Sequence, residues 1–320
     1  TLDDDAAGFT IAESGGGTTV TEAGSTDEFT VVLNTQPTTN VVLDVVSGDI
    51  GEATVDVSTL TFTSGNWNVA QTVTVTGVGD LFDDGNQVTS VTISVDDALS
   101  DDGYDPVPDQ TVFVTTTDDD IAGFTIQQSG GGTLVSETGT NDTFTVVLTA
   151  QPVTNVELTV TADDPSEVSV APTPLTFTTA NWNVAQTVTV TGVDDALVDG
   201  VQFSTVTIAV DDAASDDAFD PLNDQTVSVT TTDDDGAAYT VTESGGSTDV
   251  AESGTTDTFT IVLDAQPLGD VVLDLVSGDP SEATVSPVRV TFNNGNWNVA
   301  QTITATGVDD AVVDPGNTSV

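Results

Sequence analysis

The chain has 320 residues, of which 53 are acidic and one, Arg289, is basic, for a formal net charge of −52. That balance excludes the clustered Lys and Arg that nucleic-acid binding needs, disfavours an anionic membrane surface, and calls for cations from solution. Cys, His and Met are all absent, which removes disulfides, thiolate or imidazole zinc sites and nucleophilic triads built on His or Cys.

Hydrophobic residues make up 37% of the chain, and they alternate with Thr, Ser and Asp at period two. This separates the sequence from acidic disordered chains and marks half-buried strands. In chain order the first unit predicts strands at 8–12, 28–34, 40–47, 53–57, 60–63, 67–78, 88–95 and 110–117. Val73 and Val75 are expected to face a core, with Thr72, Thr74 and Thr76 facing water. Turn chemistry separates the runs: Ser-Gly-Gly-Gly from Ser14, Gln36-Pro37, and Ser47-Gly-Asp. No window has helical periodicity, and no run of about 18 apolar residues offers a membrane span.

The pattern then repeats. Trp67, Trp182 and Trp297 stand 115 apart (182 − 67 and 297 − 182), as do Phe9, Phe124 and Tyr239. The block Asn-Trp-Asn-Val-Ala-Gln-Thr recurs identically from Asn66, Asn181 and Asn296. A period of this length is a whole domain. Seven or eight short strands per period predict an all-β fold of tandem immunoglobulin-like β-sandwiches. The expected division is 1–5 as the close of a preceding repeat, then repeats at 6–120, 121–235 and 236–320. The third is expected to lack its last strands, so that further chain or a strand donated by a like chain would complete it. Trp67 is expected to open the longest strand and plug one end of the core, with Phe62, Phe177 and Phe292 inside it. Asn66 and Asn68 are expected to satisfy turn backbone groups.

Three acidic clusters recur. The first is a junction, Asp118-Asp119-Asp120, copied at Asp3 to Asp5 and at Asp233-Asp234-Asp235. The second follows the long strand: Asp80, Asp83 and Asp84, then Asp194, Asp195 and Asp199, then Asp309, Asp310 and Asp314. The third is a loop before the last strand, with Asp96, Asp97, Asp101, Asp102, Asp105 and Asp109, copied at Asp211, Asp212, Asp216, Asp217, Asp220 and Asp224. Adjacent carboxylates repel unless neutralised. Calcium suits such loops, because it takes six to eight oxygen ligands in tolerant geometry. A solvated acidic surface explains the total charge but not the clustering at domain ends.

Each unit resembles the Calx-β repeat. The stretches that carry the resemblance are Val20-Thr-Glu22-Ala-Gly, Leu60-Thr-Phe-Thr, Gln186-Thr-Val-Thr-Val-Thr-Gly-Val-Asp194-Asp195, and Val229-Thr-Thr-Thr-Asp233-Asp234-Asp235. The resemblance implies calcium held by a first-strand Glu, an Asp pair after a middle strand and the closing Asp run. By position this nominates Glu22, Asp80, Asp118, Asp119 and Asp120 in the first unit, and Glu137, Asp194, Asp195, Asp233, Asp234 and Asp235 in the second. The third unit offers Glu252, Asp309 and Asp310 without a closing run. Gly79 stands where the second unit has Asp194, which implies one ligand fewer in the first. The resemblance also implies an extracellular or cell-surface setting, and a structural role in a calcium-stabilised filament, adhesin stalk or surface-layer-like polymer that associates with like chains. The alternative is a calcium-dependent carbohydrate-binding module using Tyr104 or Phe219 beside the third acidic loop. Enzyme activity is not expected, because the same carboxylates recur in every unit rather than forming one cleft.

Overall fold

The computed structural model describes residues 5–311, and within them the chain is all-β. The expectations placed on Asp3, Asp4 and Asp314 lie outside the described residues. The first repeat contributes β1 (Phe9–Glu13), β2 (Thr18–Thr21), β3 (Thr26–Leu33), β4 (Val41–Ser47), β5 (Ala53–Val55), β6 (Thr59–Phe62), β7 (Gln71–Gly77), β8 (Gln87–Val95) and β9 (Gln110–Thr117). They form one sheet in the order β1-β3-β7-β5 and a second in the order β2-β9-β8-β4-β6. All pairings are antiparallel except β2 with β9, which run parallel.

The second repeat copies this plan. Its strands are β10 (Phe124–Gln128), β11 (Thr133–Ser136), β12 (Asn141–Leu148), β13 (Val156–Ala162), β14 (Val168–Ala171), β15 (Leu175–Phe177), β16 (Gln186–Gly192), β17 (Gln202–Val210) and β18 (Gln225–Thr232). The sheets are β10-β12-β16-β14 and β11-β18-β17-β13-β15. The chain is thus a tandem of β-sandwiches. The third repeat has β19 (Tyr239–Glu243), β20 (Thr256–Leu263), β21 (Val271–Asp274), β22 (Ala283–Ser286), β23 (Arg289–Phe292) and β24 (Gln301–Gly307). Its first sheet is complete, β19-β20-β24-β22, but the second is the pair β21-β23 among the described residues.

Period two explains the core. On β7, Val73 and Val75 are fully buried while Thr72 is exposed and Thr74 and Thr76 are half-buried. Phe62, Phe177 and Phe292 are fully buried, as expected; each such side chain contributes roughly 1.5–3 kcal/mol by leaving water. The long strand, however, begins at Gln71. Trp67 sits before it in a turn, half-buried against the core, and its carbonyl accepts the Leu33 N–H at 3.1 Å. Asn66 makes that turn: its Oδ1 accepts the Thr63 N–H at 2.6 Å and the Thr63 hydroxyl at 2.9 Å.

The first strand region divides in two. At Ser14-Gly-Gly-Gly the chain leaves one sheet for the other, with Gly15 at φ 64° and Gly16 at φ 88°, a backbone that only glycine adopts without cost. Asp27 pins this crossover, accepting the Ser14 hydroxyl and, at 2.9 Å, the Thr19 N–H. Asp142 and Asp257 do the same in the later repeats. In the third repeat the residues corresponding to β2 form no strand; their parallel partner, the counterpart of β9, has no place among the described residues.

Candidate metal centre

The crossover delivers a glutamate to one end of the sandwich. Glu22 follows β2, and its N–H donates to the Thr117 carbonyl at the end of β9 at 3.1 Å. Glu137 repeats this with Thr232 at 3.1 Å. The fit is tight because β7 passes beneath: a Cβ on Gly77 would lie 2.2 Å from the Thr21 carbonyl oxygen, and one on Gly192 2.1 Å from that of Ser136. Close approach of the two backbones is what sets Glu22 beside the residues that follow both β7 and β9.

Two groups of carboxylates result in the first repeat. Oxygens of Glu22, Asp118 and Asp120 lie within 4.8 Å of one another, and so do those of Glu52, Asp80 and Asp84. In the second repeat Glu137, Asp233 and Asp235 form the first of these groups. Glu167, the counterpart of Glu52, is buried there, with Asp199 and Asp195 among the charges that raise its pKa. Glu52 is held by its backbone: its carbonyl accepts the Val78 N–H at 2.9 Å and the Thr116 hydroxyl at 3.1 Å. Glu167 likewise accepts Val193 at 2.9 Å.

The carboxylates shape their own loops. Asp118 accepts the Gly85 N–H at 2.7 Å on one oxygen and the Asp120 N–H at 2.8 Å on the other; Asp233 does so with Gly200 and Asp235, each at 2.7 Å. Asp80 accepts the Phe82 N–H at 2.8 Å, and Asp195 the Leu197 N–H at 2.7 Å. These bonds fix the loops without neutralising them.

Burial is the main force that pushes the Glu22 carboxyl up to about 7; Asp118, Asp80 and Asp84 add to it, and the Asp119 N–H partly opposes it. The Glu137 carboxyl is also pushed up to about 7, by burial first and then by Asp233, Glu167, Asp195 and Asp199. Burial and neighbouring carboxylates likewise raise Glu52, Glu167, Asp120 and Asp235. Several buried oxygens have no hydrogen-bond partner: Oε2 of Glu52, Glu137 and Glu167, Oδ1 of Asp199 and Oδ2 of Asp235. The single basic side chain is remote in role, since Arg289 is exposed and pairs with Asp274 at 2.6 Å.

This donor set fits calcium. The ion takes oxygen ligands at about 2.3–2.6 Å, so oxygens sharing one ion stand no more than about 5 Å apart, as the spread within each group allows. Unpartnered buried carboxylate oxygens are costly by themselves, and a divalent cation would satisfy them.

Of the nominated residues, Glu22, Asp118 and Asp120 come together, as do Glu137, Asp233 and Asp235; Asp80 joins Glu52 and Asp84. Asp119 and Asp234 are exposed; the run turns at Asp118 and Asp233, whose side chains accept the N–H two residues on. Asp194 is also exposed, so the Gly79 difference removes no member of these groups. Glu252, Asp309 and Asp310 are exposed in the third repeat and enter no group among the described residues. Among the described residues no counterpart of β9 stands beside Glu252 to bury it.

Asp84 and Asp199 belong to the second acidic cluster of the sequence but not to the set the resemblance nominates; Glu52 and Glu167 lie outside both. The available signal was the spacing of Glu52, Glu167 and Glu282 at 115 (167 − 52 and 282 − 167), each just ahead of a strand.

In the third acidic loop one aspartate in each of the first two repeats braces the neighbouring turn. Asp101 accepts the N–H groups of Thr38 and Thr39 at 2.6 and 3.0 Å, the Thr38 hydroxyl at 2.6 Å and the Gly103 N–H at 3.0 Å. Asp216 accepts Val153, Thr154 and Ala218 N–H groups at 2.6, 2.8 and 3.1 Å. The expectation of Tyr104 or Phe219 as an exposed ligand platform is corrected: they are 3% and 1% exposed. Both aromatic rings fill the core, and the Tyr104 hydroxyl donates to the Thr35 carbonyl at 2.6 Å.

Among the described residues no helix is long and apolar enough to cross a membrane. No family model matches the chain, and no curated protein does. Solved structures similar to it include CBD12 from CALX1.2, at 14% identity and TM-score 0.27 over 62% of this chain and 79% of that one. The apo form of the Calx CBD1 domain is similar at 16% identity and TM-score 0.26, over 35% of this chain and 98% of that one. Domains 4–9 of the surface layer protein SbsC align at 13% identity and TM-score 0.30, over 94% of this chain and 43% of that one. Overlaps of this size leave the reading of the site to its own carboxylates.

Proposed function

We propose that each complete repeat binds calcium at its acidic end, and that the chain is a calcium-stiffened structural segment of an extracellular filament, adhesin stalk or surface-layer-like polymer. One observation carries the reading. Glu137 is 1% exposed, one of its oxygens has no partner, and it lies within 4.8 Å of two aspartates with no basic residue to answer them. Evolution of a soluble acidic surface gives no reason to bury that charge.

The Calx-β resemblance of the sequence agrees with this reading, as does the repetition of the same carboxylates at each sandwich end. Tandem domains add length, and ions near the junctions limit bending. An enzyme is not part of the proposal. Calcium titration of the whole chain by calorimetry tests it: binding at the first two repeats is expected, and no heat and no bound calcium at millimolar concentration would overturn it.

A further inference from the structure

One loop builds both junctions between repeats. At the first, the N–H of Gln151, in the turn after β12, donates to the Leu81 carbonyl at 2.7 Å, and Asp83 accepts the Ala122 N–H at 2.7 Å. At the second, the Gln266 N–H donates to the Ala196 carbonyl at 2.6 Å and the Gln266 carbonyl accepts the Val198 N–H at 3.3 Å. A parallel bridge joins Leu197 to Gln266. Leu81 and Asp83 lie between Asp80 and Asp84, which belong with Glu52 to the second carboxylate group of the repeat. The loop therefore faces candidate cation ligands with some residues and the next repeat with those between them.

The receiving turn is set in advance. Gln151 braces it by donating its side-chain amide to the Thr179 carbonyl at 3.2 Å, and Gln36 does the same with Ser64 at 2.9 Å. Gln36 is exposed, whereas Gln151 and Gln266, each met by the loop of the repeat before, are half-buried. The partner that this turn fits is the loop of another repeat of the same kind.

We propose that this loop is the coupler between repeats, and that occupancy of the Glu52, Asp80 and Asp84 group, not of the Glu22, Asp118 and Asp120 group, sets the stiffness of the junction. The proposal rests on the calcium reading. With the ion, Asp80 and Asp84 are drawn to Glu52 and the loop between them keeps the shape that meets Gln151. Without it, three like charges push the loop open and the contact loosens. Asp83 is a positioning residue that holds Ala122 rather than the ion. The second repeat has Val198 at that place, and its junction relies on main-chain bonds.

The absence of cysteine permits clean spin labelling of the whole chain at Phe113→Cys with Phe203→Cys, and at Phe203→Cys with Val272→Cys, all at exposed positions. Dipolar distance distributions are expected to be narrow in saturating calcium and at least about twofold broader in EDTA. Asp80→Asn with Asp84→Asn removes both the ligands and their repulsion, so the width at the first junction should be the same in calcium and in EDTA. Glu22→Gln with Asp120→Asn should narrow like the unaltered chain. Asp83→Ala should broaden the first junction alone while leaving the calorimetric calcium stoichiometry unchanged, and Asp83→Asn, which keeps an acceptor oxygen, should restore the narrow distribution. A narrow distribution for Asp83→Ala, or narrowing by calcium in the Asp80 and Asp84 variant, overturns the coupler. Calcium binding with widths indifferent to it overturns the coupler and leaves the calcium reading standing. Absence of any calcium binding overturns both.

Discussion

Glu137→Gln separates a metal ligand from an ordinary buried polar residue, because the two roles predict opposite signs in calcium and in chelator. The glutamine keeps the shape and loses the charge. Glu137 has its carboxyl raised from 4.5 to about 7, so the folded state holds the proton longer than the unfolded chain does. The stability it contributes is complete below about pH 4.5 and is lost as pH rises through about 7. A shift of this size corresponds to about 3 kcal/mol at most. The aspartates around it are only half-buried, and solvent screening reduces this to about 1–2 kcal/mol. At pH 8 in EDTA the substitution is therefore expected to stabilise the second repeat by that amount, or roughly 4–8 °C in melting temperature. In calcium the sign reverses. Saturation at a hundredfold excess over Kd supplies about 2.7 kcal/mol, and each tenfold loss of affinity withdraws about 1.4 kcal/mol. Differential scanning calorimetry in both buffers reads both numbers. Destabilisation of equal size in calcium and in EDTA would refute the ligand role.

Glu22 and Glu137 together predict that the calcium-free chain melts at progressively lower temperature from pH 4.5 to 7, while in saturating calcium the temperature is level or rises, since protons and calcium compete for the same oxygens; a circular-dichroism melt at each pH checks it. Asp101→Ala should cost about 1–3 kcal/mol in denaturant unfolding, with or without calcium, because it strands the Thr38 and Thr39 N–H groups. Gly192→Ala should weaken calcium binding in the second repeat at least about tenfold by titration calorimetry. The added Cβ would lie 2.1 Å from the Ser136 carbonyl oxygen and must push apart the two backbones that bring Glu137 to its site.

The sandwich was legible because burial and strand pleat share one period: Val73, Val75 and Phe62 announce their faces by alternation alone. Trp67 misled at the strand boundary. Its identical surroundings in each copy mark a turn held by Asn66, and a turn carrying a large half-buried side chain reads locally like a strand. Thr18–Thr21 was hidden for another reason. Its partner, β9, begins its pairing with Val114, 96 residues away (114 − 18), and no local pattern encodes a parallel pairing at that distance.

The site was half legible. Glu22 and the Asp runs stood out as clustered or repeated charge, but clustering does not tell which carboxylates turn inward; Asp118 and Asp120 meet Glu22 while Asp119 is exposed. Glu52 stands alone in a polar turn and looks solvated until the fold lays it against Asp80 and Asp84. Tyr104 and Phe219, set among aspartates, read as exposed for the same reason, and the fold buries them.

Thermal unfolding of the whole chain at pH 7.5, in millimolar calcium and in excess EDTA, tests the central claim most directly. Calcium is expected to raise the main transition by roughly 10 °C, the effect of about 2.7 kcal/mol in a domain of this size. Magnesium should do markedly less, because it demands octahedral geometry and keeps its waters. Superimposable melts in calcium and EDTA would contradict the account.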